Sequence, residues 1–253
     1  MLPQIIFYIA FYIIGVVLGS FFTLATYRIP LKQDILYTRS YCPKCNNKLK
    51  SVDLIPILSY IFLGGKCRYC HEKISPRYII IEMFSGLFYL LFVVSLKIDI
   101  FNISVYKLVD LLYGTLIISS FFIIGGIAKE TKLLSKGTIN FGLAVSALYM
   151  IYLYIVQSNI YRYIIYFVVI VLILILQKIM KQKKYKNICN IMILMLFSII
   201  ATNEIIFIAS VIFTFIIHLI SYLFTKQKNT NYIFYFSFLN ILFMIIYNCL
   251  MTL

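Results

Sequence analysis

Residues 42–70 read CPKCNNKLKSVDLIPILSYIFLGGKCRYC, and this stretch decides how the chain is organised. It holds two Cys-x-x-Cys pairs, Cys42/Cys45 and Cys67/Cys70, with 21 residues between them. At that separation four thiolates can reach the corners of a tetrahedron, the arrangement a structural zinc ion takes with all-sulfur ligands. The surrounding polar segment, residues 28–78, is too short to hold itself together by core burial, and metal ligation would supply what the core cannot. Two disulfides and a redox role are the competing readings. Redox Cys-x-x-Cys motifs normally come singly at a helix N-terminus, and a reducing compartment favours zinc over disulfides. His71 directly follows Cys70, and adjacent ligands rarely both reach one metal, so it reads as a surface histidine.

On either side of this stretch the chain reads as membrane. It is 63% hydrophobic, with a mean hydropathy of +0.98. A hydrocarbon core of ~30 Å needs about 20 apolar helical residues. Eight candidate spans result, at about 4–27, 79–96, 108–127, 138–156, 161–177, 188–201, 204–224 and 232–252. The sixth is short, and Asn203 and Glu204 break the apolar run after it, which predicts a reversing turn near Thr202. The expected fold is an all-α polytopic membrane protein of about eight transmembrane helices, with a small cytoplasmic four-cysteine zinc module between helices 1 and 2. Its parts are a first helix over 1–27, the module over 28–78, and a membrane domain of helices 2–8 over 79–253.

Charge placement fixes the orientation. With the N-terminus outside, segments 28–78, 128–137, 178–187 and 225–231 face the cytoplasm and hold 20 of the 23 Lys and Arg, leaving Lys97, Lys107 and Arg162 outside. That is the positive-inside pattern. The net charge of +15 therefore mostly reflects topology, and a nucleic-acid partner is excluded in favour of the lipid bilayer. The first span has no basic leader region and no small-residue cleavage site, so it is expected to remain as an anchor. Within the module, Lys44, Lys48, Lys50, Lys66, Arg68 and Lys73 leave a basic surface. It suits either the proximity of anionic headgroups or an acidic or lipid-bound partner.

Several residues stand out individually. Gly15, Gly19 and Ser20 line one face of the first helix and would permit close helix packing. Arg28 is expected to pair with a carboxylate or a lipid phosphate at the interface. Asp53 and Glu82 are two of only eight acids, and Glu82 lies just inside the second span, where a charge is costly unless paired. Arg77, five residues before it, is its expected partner.

These residues resemble the N-terminal region of the type IV prepilin peptidases, A24-type intramembrane aspartyl peptidases that are also N-methyltransferases. The resemblance is carried by Gly15-Val16-Val17-Leu18-Gly19-Ser20-Phe21, by Tyr27-Arg28-Ile29-Pro30, and by Arg39 with the first cysteine pair. It continues through Leu49, Asp53 and Ile55-Pro56-Ile57-Leu58-Ser59-Tyr60, then Lys66 with the second pair, Ile74-Ser75, Arg77-Tyr78 and Glu82. Thr23 stands where the family usually has Asn, and Gly64 where the second loop often has Arg. The resemblance implies a multi-pass protein of the bacterial cytoplasmic (plasma) membrane. It further implies cleavage of prepilin-like (pseudopilin) leader peptides, N-methylation with S-adenosylmethionine, and partners among pilus assembly proteins.

The family's chemistry uses two aspartates, one in D-x6-P and one in GxGD-x-K, because two carboxylates sharing a proton can activate a water and protonate the leaving amine. Here the loop after the third span runs Ile127-Ala128-Lys129-Glu130-Thr131-Lys132-Leu133-Leu134-Ser135, which puts Ala128 at the first aspartate position and leaves Glu130 as the nearby acid. The second position falls near Asn187, in Lys184-Tyr185-Lys186-Asn187-Ile188-Cys189-Asn190, which has neither glycine nor acid. No Asp follows Asp110. No catalytic residue is therefore identified, and the expectation is a peptidase-inactive or partial relative, a pseudoenzyme. The alternatives are an active leader peptidase/N-methyltransferase with a displaced acid, or a non-catalytic pilin-assembly partner. His218, Cys189 and Cys249 sit singly in apolar runs and read as packing residues.

Overall fold

The computed structural model describes residues 2–132, 134–156, 158, 160–179, 183–225 and 231–251, with side chains 183–186 and 225 left aside. Parts of the expected segments 178–187 and 225–231 lie outside the described residues. Within those described, regular structure is helical apart from two isolated antiparallel bridges, Tyr41 with Lys48 and Lys66 with Lys73. The helices are α1 (Leu2–Arg28), the short α2 (Leu58–Phe62), α3 (Arg77–Ser95), α4 (Val105–Thr131), α5 (Lys136–Ile155), α6 (Tyr161–Ile179), α7 (Lys183–Ala201), α8 (Glu204–Thr225) and α9 (Tyr232–Met251).

Each long helix contains a long apolar run. Pro30 ends α1, since it supplies no N–H and disfavours helical geometry in the residue before it. Seven of the eight long helices are long and apolar enough to cross a membrane. The eighth, α7, opens with lysines, and its apolar part is confined to Asn187–Ala201. At 1.5 Å per residue that part extends only about 22 Å. The break expected near Thr202 is present. Asn203 accepts the Ile206 N–H through its side-chain oxygen at 2.8 Å, capping α8 where α7 has ended.

The described chain forms two compact units, one reaching to Lys107 and the other running from Leu108 to Met251. In the first, α1 packs antiparallel on α3 at very short range. A Cβ on Gly15 would lie 2.7 Å from the Tyr89 Cβ and 2.9 Å from the Gly86 Cα, and one on Gly19 would lie 2.9 Å from the Glu82 Cα. The small-residue face read from the sequence is the surface on which the two helices meet. Gln4 fastens the other end, donating to the Ile98 carbonyl at 2.7 Å.

In the second unit the interior is apolar with a few paired polar groups. Tyr113 and Tyr149 stack with ring centroids 3.8 Å apart, and the Tyr149 hydroxyl donates to Asp110 at 2.7 Å. Ser198 donates to the side-chain oxygen of the fully buried Asn240, whose amide in turn donates to the Phe236 carbonyl.

Candidate metal centre

The two cysteine pairs fold alike, position for position. In the first, the Asn46 N–H donates to the Cys42 carbonyl at 2.8 Å and the Cys42 N–H to the Asn47 carbonyl at 3.0 Å. In the second, the His71 N–H donates to Cys67 at 3.0 Å and the Cys67 N–H to Glu72 at 2.9 Å. One antiparallel bridge closes each loop. The residue after each second cysteine turns through a positive φ, 57° at Asn46 and 56° at His71, a conformation in which Asn and His are enriched. His71 thus has a backbone role, and the cluster that could hold a metal consists of the four cysteines.

Their sulfurs all lie within 4.8 Å of one another, with Cys42 and Cys70 3.9 Å apart. A tetrahedral centre with metal–sulfur bonds of about 2.3 Å separates its sulfurs by about 3.8 Å, whereas a disulfide needs about 2.05 Å. The donor set fits a metal and not a pair of bridges. The Glu72 N–H lowers the pKa of the Cys70 thiol, but burial and the three neighbouring thiols outweigh it and push the pKa up to about 12. Four thiolates this close need a cation among them.

Polar ties hold the module in shape. Asp53, its side chain 2% exposed, accepts from Arg68 Nε at 2.6 Å and from the Lys50 N–H at 3.1 Å. The linker between the pairs is thereby fixed to the residue inside the second pair. Burial opposes ionisation of Asp53, yet Arg68 and the Lys50 N–H together hold its carboxyl below the usual range. Asp34 makes an analogous cap on the N–H groups of Leu36, Tyr37 and Thr38, which lowers its pKa too.

Two expected pairings are replaced. Arg28 is buried and, in place of a carboxylate, its guanidinium donates to the backbone carbonyls of Asp34, Thr38 and Arg39 at 2.9, 2.8 and 3.3 Å. The loop after α1 has no sheet partners, and the planar guanidinium satisfies three of its carbonyls at once. Glu82 is not held by Arg77 but accepts the Ile57 N–H at 2.7 Å. Residues five apart on a helix lie about 140° apart around its axis, so the two side chains do not share a face. Ile57 itself has φ 62° and ψ −55°, and the Leu58 N–H donates to the Pro56 carbonyl at 2.6 Å. This is a strained γ-turn, which Glu82 pins at the start of α2.

Ala128 and Asn187, the positions that the sequence reading set near the family aspartates, carry no carboxylate. Ala128 is fully buried in α4, and its carbonyl accepts the side-chain amide of Asn231. Glu130 and Asn187 are exposed. A polar chain that the sequence reading missed runs between α5, α6 and α7: Lys136 Nζ donates to Gln177 at 3.1 Å and Gln177 to Asn190 at 2.6 Å. Gln177 and Asn190, polar residues in apolar helical runs, were the available signal.

Residues 13–96 match the bacterial peptidase A24 N-terminal domain. The chain is 44% identical over 88 residues to the prepilin leader peptidase/N-methyltransferase of Vibrio cholerae, covering 32% of this chain and 35% of that one. It is 31% identical over 132 residues to the enzyme of that name from Klebsiella pneumoniae, covering 49% and 53%. With the Bacillus subtilis enzyme it shares 48% over 67 residues, covering 26% and 27%. The matches thus span from about a quarter to about half of these relatives' lengths. No solved structure matches the chain. Residues 13–96, with the paired cysteines and the α1–α3 packing they contain, thus carry a bacterial peptidase A24 N-terminal domain, and through it the chain is similar to the prepilin leader peptidase/N-methyltransferases.

Proposed function

We propose that this is a peptidase-inactive member of its family, a multi-pass protein of the bacterial plasma membrane whose cytoplasmic module binds one zinc ion and which engages prepilin-like proteins without cleaving them. The observation that carries this reading is the contrast between the two regions. The four cysteines, Asp53, Arg28 and Glu82 each have a defined place in an ordered module. Ala128, by contrast, is packed away with its carbonyl satisfied by Asn231, and Asn187 carries no charge. A water cannot be activated and an amine protonated by one exposed Glu130. Zinc is favoured over other metals because an all-thiolate tetrahedral set suits it and needs no redox partner. The cytoplasmic placement rests on the distribution of Lys and Arg. A methyltransferase role with S-adenosylmethionine is supported by the relatives' names alone.

The test is co-expression with a prepilin in a host lacking its own leader peptidase, followed by the mass of the prepilin N-terminus. An intact leader, alongside folded and metal-loaded protein, is the expected result. A cleaved leader overturns the proposal and makes Glu130 the first residue to replace.

A further inference from the structure

The short helix α2 is built in an unusual way for a segment facing water. Leu58, Ile61 and Phe62 are 50, 60 and 83% exposed, and Val52, Leu54 and Ile55 just before them are exposed too. Six large apolar side chains crowd into a stretch of eleven residues in a module that is otherwise basic. A solvated loop would not keep such a patch without something to cover it.

The height of α2 identifies what covers it. Its first turn is tied by the Ile57 N–H to Glu82, and Glu82 lies on α3 opposite Gly19 of α1. Gly19 is nine residues before the end of α1 at Arg28, a distance of about 13 Å along the axis. Glutamate side chains on a helix lean toward its N-terminus, here toward the module, which brings the tie back by a few ångströms. The start of α2 therefore lies beside the membrane helices and not beyond their ends. The 27 residues of α1 make a helix of about 40 Å against a hydrocarbon core of ~30 Å. Its last turns, and α2 with them, fall in the headgroup layer.

Charge agrees with this placement. Beyond α2 a shallow groove is lined by Tyr60, Gly64, Gly65, Lys66, Lys73 and the Ser75-Pro76 step into α3. Lys66 and Lys73 are both exposed and stand on the two sides of the bridge that closes the second cysteine loop. An apolar helix with two cations beside it, at the mouth of a membrane helix, complements the acyl–headgroup boundary of an anionic bilayer.

We infer that α2 is an interfacial wedge, with Leu58, Ile61 and Phe62 inserted among the lipids and Lys66 and Lys73 against lipid phosphates, so that the metal module lies against the membrane. The Glu82 tie and the γ-turn at Ile57 set the angle of entry. The inference requires only that α1 and α3 cross the bilayer, and it is independent of any action on prepilins.

The chain contains no Trp, so Phe62→Trp in the full-length protein gives a single reporter at an exposed position. The protein is reconstituted into phosphatidylcholine/phosphatidylglycerol vesicles, and its metal content is measured to show that the module is intact. The expected result is blue-shifted emission that falls about twofold with lipids brominated near the headgroup end of the acyl chain and resists aqueous iodide. Ile61→Trp should behave in the same way. Lys66→Glu with Lys73→Glu in the reporter background should lower the bromolipid quenching. Water-like emission that iodide quenches and bromolipid does not, in both reporter variants, overturns the inference. So does emission that shifts only when a prepilin-like peptide is added, which would make the patch a peptide-docking surface.

Discussion

Replacing Asp53 by Asn tests whether the metal module depends on the tie between its linker and its second cysteine pair. The substitution preserves shape and leaves an oxygen to accept the Lys50 N–H, but removes the charge that faces Arg68 at 2.6 Å. Hydrogen bonds to charged groups contribute about 1.5–3 kcal/mol. Asp53 is 2% exposed but Arg68 is 45% exposed and can rehydrate, which argues for the lower part of that range, about 2 kcal/mol. In so small a module metal binding and folding are one process, so the loss should emerge as about 30-fold weaker metal binding. The assay is competition for zinc with a chromogenic chelator, using purified protein in detergent. Arg68→Ala should cost a similar amount, and the double variant no more than the larger single loss, because both remove one interaction. A change below about threefold for Asp53→Asn, or additive single losses, would refute the reasoning.

Other expectations follow from the same geometry. The Asp53 carboxyl is held below its ordinary value in the folded module, so its contribution is complete above the unfolded value, near pH 4, and disappears as pH falls through the lower folded value. The gap in denaturant midpoint between wild type and Asp53→Asn should accordingly stay constant from pH 8 down to about pH 5 and narrow below that. Gly15→Ala brings a Cβ within 2.9 Å of the Gly86 Cα and the Ser85 carbonyl and should destabilise the α1–α3 pair by about 1–3 kcal/mol, read as a lower Tm in detergent. Gly137→Ala, whose Cβ would meet nothing nearer than 3.9 Å, should leave Tm unchanged or raise it. Arg28→Lys cannot span three carbonyls and should cost about 2–3 kcal/mol, with faster proteolysis in residues 29–40 as the local readout. Ala128→Asp would bury an unpaired carboxylate at a position with no exposure; it should lower Tm without producing leader cleavage in the co-expression assay.

Much of the architecture was legible one residue at a time. The eight long helices coincide with the apolar runs, and α7 falls short because its lysines displace the apolar stretch to Asn187–Ala201. Membrane insertion depends on local hydropathy, which a linear sequence displays directly. The four cysteines were equally readable, since spacing constrains a metal loop more than any distant contact does. Partner choice was not. Arg28 was expected to meet an anion and instead serves three carbonyls; Glu82 was expected to meet Arg77 and instead holds the Ile57 N–H. In both cases charge complementarity suggested another ion, while the unsatisfied backbone groups that won were created only when the module folded. Sequence by itself determined the membrane class, the number and approximate positions of the long helices and the four cysteines that could hold a metal, because each follows from local composition or spacing. Tertiary structure decided which groups those buried charges satisfy, that the start of α2 is tied to α3 through Glu82, and that the Ala128 carbonyl is met by Asn231, because these depend on backbone atoms brought together from separate parts of the chain.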